Sequence, residues 1–543
     1  MSKFRFKRLD RVGVPDADED REYLEHCFVG SEDLESLLAC SDSRRVIVGG
    51  TGTGKTALLR RVEQQARGTV ISVLPEGLAL SHIANSTVLN YVLGLGVKLD
   101  LFFKLLWRHV FAVEILRAHF KVYTEDDQVK VFTRFLSMFN PDNRRAIKYM
   151  EEWGKTFWKE TDFRVKELTH KLERDIKASV AATLPGVNLS SGDSSTLTQQ
   201  QVTEVVERAQ HVVNQVQIRE LSHILDMLDA VLEDPQQPYF ILIDRLDENW
   251  VEDRFRYLLV RALLETVRDF RKVRNAKIIV ALRRDLVDRV FKLTRDAGFQ
   301  QEKFESIFLP LNWSTPELVE FIEKRLRHLI DKRTGRAAGA RIDVHSLLPK
   351  AVDDMRAAEY VVSRTLMRPR DVIQFLNACI EQSVNQPHVT LDMLRQGEGV
   401  YSPARLRAVA DEWAADYPSL LHFTRILKNR APLFPLEDID DASVSDACLE
   451  FAARDPGPTS CPLGTAALKT ANATMGVPEF RRTALDAFYR VGLVGFKLES
   501  HEAPHWAYSG RKSISSAELE HPGIRVAVHP AFWRTLGIRS RPE

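Results

Sequence analysis

The chain has 543 residues, 44% of them hydrophobic, enough for about two to four domains with buried cores that need no external staples. Lysine plus arginine (76) and aspartate plus glutamate (75) nearly cancel, which excludes a whole-chain basic field for nucleic acid and leaves room only for a local patch. Cys27, Cys40, Cys379, Cys448 and Cys461 stand far apart, odd in number and without a C-x-x-C pair, which argues against a zinc site or a disulfide framework and points to the reducing cytoplasm.

The basic N-terminus, Met1 to Arg8, has no apolar stretch behind it and does not read as a secretory signal. An acidic run from Asp16 to Asp20 and a helix with Ser31 as its N-cap form a lead-in, residues 1–44, to the β-branched strand Val46-Ile47-Val48. Directly after that strand stand Gly49, Gly50, Thr51, Gly52, Thr53, Gly54, Lys55 and Thr56. Glycines at this spacing allow a tight loop whose N–H groups point at phosphate oxygens, Lys55 is placed to reach β and γ phosphates, and Thr56 to ligate Mg²⁺. A helix opening at Ala57 adds the anion-binding character of a helix N-terminus. Gly68 to Leu74 reads as a second, buried strand, ended by Pro75.

Residues 77–236 show only helical periodicity and read as a large insertion in the core. Its most apolar part, Ile83 to Leu116, is interrupted by Lys98, Asp100, Lys104 and Arg108, so no uncharged run reaches the roughly 18 to 20 residues a membrane span needs. A buried or partner-facing helix pair is expected there instead. Two long helices, Asp162–Thr183 and about Thr198–Leu232, flank the turn-rich loop Pro185 to Ser195, which suggests either a protruding hairpin for a partner or neighbouring subunit, or a solvated strut.

Tyr239-Phe240-Ile241-Leu242-Ile243 is apolar on both faces and ends in Asp244, the place where a buried parallel strand delivers a Mg²⁺-binding acid beside a phosphate loop. Asp247 and Glu248 follow, and either could orient an attacking water. After a long helix, Lys277 to Leu282 is another core strand, ending at Arg283, and Glu305 to Leu311 is the last. Strands alternating with helices give an α/β fold with a parallel sheet, over residues 45–335. Ser314-Thr315-Pro316-Glu317 opens a helix, Lys332 to Gly339 reads as flexible, and residues 336–390 read as a helical lid containing Arg368-Pro369-Arg370-Asp371. From 391 to 543, short helices followed by β-rich pieces at Val491–Phe496 and Ile524–Pro530 have the layout of a winged helix, which serves either duplex binding or packing.

With these residues in hand, the chain resembles the STAND branch of AAA+-like P-loop ATPases, and most of all a prokaryotic stand-alone subgroup in which LRxD, RPRD and VHPxF motifs recur. Here these are Leu282-Arg283-Arg284-Asp285, Arg368-Pro369-Arg370-Asp371 and Val528-His529-Pro530-Ala531-Phe532. The resemblance implies ATP and Mg²⁺ as cofactors, Asp244 as the Walker B acid, Arg283 as a sensor of the γ phosphate, and Arg368 or Arg370 reaching the triphosphate from the lid. Arg245 departs from the core AAA+ pattern, which has an acid there, and Asp247 and Glu248 resemble the later acids of STAND proteins. Such relatives tend to be molecular switches, many of them in bacterial antiviral systems beside an effector, and the partners expected here are further copies of the chain, a separate effector protein, or both. An ATP-dependent DNA-processing protein is the other reading. Two alternatives stay open: Arg283 paired with Asp285, and the lid arginines paired with Asp353, Asp354 or Glu359.

Overall fold

The computed structural model describes residues 4–75, 81–124, 127, 146, 149, 161–184, 189, 198–248, 250–295, 300–335, 342–454, 461–499, 501–509, 515–519, 521 and 523–539. The loop expected at 185–195 therefore lies outside the described residues apart from Leu189, as does the second half of the segment expected to be flexible at 332–339. Two compact units emerge, one of Gly30–Gly50 and Lys55–Leu311, the other of Met1–Val29, Thr51–Gly54 and Asn312–Glu543. The expected lead-in is thus divided between them.

The first unit is built on a parallel sheet of β1 (Val46–Gly49), β2 (Thr69–Val73), β3 (Tyr239–Ile243), β4 (Ala276–Arg283) and β5 (Phe308–Pro310), in the order β2-β3-β4-β1-β5. β1 and β3 are buried at every residue and β4 at every residue but the last, as expected where helices cover both faces and alternation disappears. The expectation of a buried second strand is corrected: only Val73 of β2 is buried. β2 pairs with β3 alone, at a sheet edge, and its β-branched residues favour the pleated backbone whether or not they are covered.

Every regular element described in the insertion is a helix, and its helices Asp100–Phe120, Thr161–Thr183 and Gln199–Val231 share one continuous apolar core with the sheet. Val165, Leu168, Leu172 and Ile176 on the second helix and Val205, Ala209 and Val213 on the third lie in that core, so the pair is packed rather than held out as a hairpin or strut. Two of the charges that interrupt the apolar run tie it to the helix Asp253–Asp269. Lys104 pairs with Glu265, Arg108 pairs with Asp269, and the Trp107 indole donates to the Leu259 carbonyl at 2.9 Å. Among the described residues, no helix is long and apolar enough to cross a membrane.

The second unit holds two cores. One collects the helices Thr315–Thr334, Ala357–Ser363 and Pro369–Gln382 with Phe4, Phe6 and Val12 of the N-terminal segment. Its small hairpin, β6 (Ala351–Val352) and β7 (Met355–Arg356), turns through Asp353 and Asp354 at φ 48° and 64°, the left-handed pair a two-residue hairpin loop requires. The N-terminal segment is fastened by Asp20, whose carboxylate pairs with the buried Arg325, while Arg325 Nη1 donates to the Val12 carbonyl at 2.7 Å. The other core carries the helices Asp441–Ala453, Pro462–Ala471 and Val477–Arg490 and an antiparallel sheet ordered β8-β10-β9 from β8 (Leu433–Pro435), β9 (Val494–Lys497) and β10 (Arg525–Val528). That is a winged-helix-like arrangement, with β8 a third strand beyond the two expected. Helix Leu391–Glu412 belongs to both cores, giving Leu394 and Tyr401 to one and Leu406, Val409 and Ala410 to the other.

Candidate functional site

The glycine-rich loop leaves β1 at Gly49, which lies level with Arg283 at the end of the neighbouring β4. Gly52 and Gly54 take φ 77° and 96°, a region closed to most side chains, so the two glycines are a requirement of the loop path. Lys55 opens the helix Lys55–Gln65, and its ammonium donates to the carbonyls of Gly50 at 2.9 Å and Gly49 at 3.3 Å. Next to it the Thr56 hydroxyl donates to Asp244 Oδ2 at 2.7 Å, which joins two residues 188 positions apart in sequence. Asp244 follows β3 directly, and its other oxygen accepts the Arg245 N–H at 2.9 Å. Arg245 is held at φ 60°, a conformation that costs a non-glycine residue about 1 kcal/mol and recurs at working sites. A hydroxyl and a carboxylate in contact are a hard-oxygen pair suited to Mg²⁺, and an ammonium at a helix N-terminus beside glycines suits a polyphosphate. The donor set therefore fits both groups.

Arg283 is gripped by Asp285, with Nε and Nη2 at 3.0 and 3.1 Å from its two oxygens, and its Nη1 lies 3.6 Å from Asp247. The pairing with Asp285 left open by the sequence is present. Glu248 instead stands 3.8 Å from Arg245. Asp247 and Glu248 are both substantially solvent-exposed, at 38% and 43% of the side chain, so the two acids differ by their arginine partner rather than by burial.

In the second unit the RPRD motif divides. Arg368 Nη1 lies 2.8 Å from Glu412, and Asp371, fully buried, lies 3.0 Å from Arg405. Arg370 packs against Gly52: its backbone N–H reaches the Gly52 carbonyl at 3.4 Å, and a Cβ on Gly52 would stand 2.9 Å from Arg370 Cβ. Two of the three acids expected as alternative partners are engaged elsewhere, Asp353 with Arg364 and with Arg395 of the helix Leu391–Glu412, and Glu359 with Arg356 at the end of the β6–β7 hairpin. Sequence reasoning missed Trp313, whose indole N–H donates to the Thr53 carbonyl at 2.8 Å. A bulky aromatic just past the last core strand was the available signal.

The VHPxF motif is structural in its contacts. His529 Nδ1 accepts the Ala531 N–H at 3.2 Å and Nε2 lies 3.0 Å from the Tyr508 hydroxyl, so the ring is neutral with its proton on Nε2. Burial, helped by the nearby charges of Arg364, Arg368 and Arg405, pulls its pKa down to about 3. On the helix Val477–Arg490 that a winged helix would present to a duplex, Arg481 pairs with Asp441 and Arg490 with Asp486, which weakens the local positive field.

Residues 316–410 match the family model of the FunZ-associated C-terminal helical domain, a stretch that includes Arg368 and Arg370. Among solved structures the chain is similar to the Walker-type ATPase PABY2304 of Pyrococcus abyssi, with 12% identity over 85% of this chain and 92% of that one and a TM-score of 0.30. No curated protein matches. At so low a TM-score the likeness carries no weight, and the nucleotide reading rests on the residues themselves.

Proposed function

We propose that the chain binds Mg²⁺-ATP, hydrolyses it slowly, and works as a nucleotide-dependent switch on a partner effector or on its own assembly in the cytoplasm. The observation that carries this is the 2.7 Å contact of Thr56 with Asp244 directly beside Lys55, at the end of a buried parallel sheet. Lys55 and the loop amides would bind the β and γ phosphates, and Thr56 and Asp244 would hold the metal. Mg²⁺, when bound, neutralises developing charge on the phosphate oxygens. Asp247 or Glu248 would orient the attacking water, and Arg283 would read the γ phosphate. The contact between Asp247 and Arg283 supports slow turnover, since each group would have to loosen its hold before acting on water or phosphate. Of the two lid arginines, Arg370 is the one we assign to the triphosphate, because Arg368 is committed to Glu412. The resemblance to STAND ATPases supports the switch, and to bacterial antiviral systems the setting.

Calorimetry with Mg²⁺-ATP and Mg²⁺-ADP on the parent and on Lys55→Ala tests the core of this reading. The lost charge-assisted contacts, about 1.5 to 3 kcal/mol, should weaken binding by roughly 10- to 150-fold. A variant that binds as the parent does would refute the site.

A further inference from the structure

We infer that Trp313 is a positioning residue that sets the phosphate loop in its binding conformation before nucleotide arrives. The inference rests on the nucleotide reading above and adds to it a residue from outside the loop. A trans peptide is planar, so its C=O and the next residue's N–H point in opposite directions, and holding one aims the other. The Thr53 carbonyl accepts the Trp313 indole N–H at 2.8 Å, which fixes the direction of the Gly54 N–H. The Gly52 carbonyl meets the backbone N–H of Arg370 at 3.4 Å, which does the same, less tightly, for the Thr53 N–H. Two successive amides are thereby turned to the side away from Trp313 and Arg370, between two glycines of positive φ, the kind of concave N–H array that binds anions.

Trp313 is itself braced. Its ring meets Phe321 edge-on at a centroid distance of 5.9 Å, on the helix Thr315–Thr334, and a ring carbon lies 4.0 Å from where a Cβ on Gly54 would be. Indole is suited to this task, since it donates from a rigid ring and accepts nothing, so it cannot compete with phosphate for the loop amides. The same geometry gives Gly52 a second reason to lack a side chain, because any Cβ there would run into Arg370.

Trp313→Phe keeps an aromatic ring against Phe321 and removes only the donor. Calorimetry should show ADP and ATP both bound about 3- to 10-fold more weakly, the equivalent of one net hydrogen bond, and in turnover the loss should appear in KM rather than kcat. A merely structural role would lower the thermal transition of the nucleotide-free protein and leave this shared loss of affinity absent. Lys55→Ala run alongside separates the two claims. If the parent binds nucleotide and Lys55→Ala does not, yet Trp313→Phe binds as the parent, the positioning role alone is overturned. If the parent binds neither nucleotide, the nucleotide reading falls and the positioning role with it. Should the phenylalanine variant not fold, the parent labelled with ¹⁵N-tryptophan should show, without nucleotide, a Trp313 indole N–H protected from exchange with solvent. A Trp313 indole that exchanges as a free one would overturn the inference.

Discussion

Replacing Arg405 by methionine should destabilise the second unit far more than an ordinary arginine substitution. Arg405 and Asp371 are only 4% and 0% exposed, and Arg368 and Glu412 join them, with Arg405 Nη2 at 3.5 Å and Arg368 Nη1 at 2.8 Å from the same Glu412 oxygen. Two cations and two anions cancel in this cluster. Methionine fills a similar volume but leaves one uncompensated negative charge, with Asp371 keeping the Leu366 N–H at 3.1 Å, the first turn of its own helix and the field of Arg368. Orphaning a buried ion partner costs about 3 to 5 kcal/mol. With a urea m-value of roughly 3 kcal/mol/M, the midpoint for the unit should fall by about 1 to 1.7 M. The measurement is urea unfolding followed by circular dichroism, repeated in an Asp371→Asn background, where no anion is left without its partner and the same substitution should cost at least about 1 kcal/mol less. A midpoint within about 0.3 M of the parent, or equal costs in both backgrounds, would show that the pair is not the coupled buried unit its geometry describes.

Glu248→Gln and Asp247→Asn should each retain Mg²⁺-ATP binding in calorimetry, and at least one should cut phosphate release by about 10²-fold or more, Glu248→Gln being the first choice; parental turnover in both would remove these acids from the water-orienting role. Arg283→Ala should leave ADP affinity nearly unchanged and narrow the preference for ATP, and equal losses for the two nucleotides would count against a γ-phosphate contact. Lys277, buried on β4 with its ammonium donating to the Ser36 and Ala39 carbonyls at 2.8 and 2.7 Å, has its pKa pulled by burial to about 7. An unfolded lysine titrates near about 10.4, so between these values the unfolded state binds the extra proton and stability rises with pH. From pH 7 to 9 the parent should gain roughly 2 kcal/mol relative to Lys277→Met in urea unfolding, and parallel pH profiles would contradict that burial effect.

Which features could be read from the chain follows from the range of the forces behind them. β1, β3 and β4 were legible because strands buried on both faces must be apolar throughout, and the tight turn of the glycine-rich loop because Gly52 and Gly54 are demanded by local backbone angles. The edge position of β2 was not, since β-branched residues suit an exposed edge as well as a covered strand. β8, three residues ending in a proline, is too short to show alternation. Partner choice was the least legible. Arg368 finds Glu412 44 residues away rather than a nearer acid, and Phe6 exchanges backbone hydrogen bonds with Asn385 and Gln386 at 2.8 and 3.0 Å, pairings that depend on the packed fold. Trp313 was hidden for the same reason, because its task depends on a carbonyl 260 residues earlier.

The shared helix Leu391–Glu412 bears on how far the winged-helix-like part can be treated as an interchangeable module. A chain cut at residue 390 would strip Leu394 and Tyr401 from the preceding core, including the stacked contact of Tyr401 with Phe375 at 4.9 Å. It would also remove Arg405 and Glu412 from the RPRD cluster. A cut after the helix would instead expose Leu406 and Val409 and separate Ser402 from the Ala531 carbonyl it meets at 2.7 Å. Neither boundary yields two self-sufficient parts. A graft between related chains would have to carry residues 357–412 and the 528–534 segment together, because Arg364 and Ser402 reach the carbonyls of Pro530 and Ala531 across the sequence that separates the RPRD and VHPxF motifs.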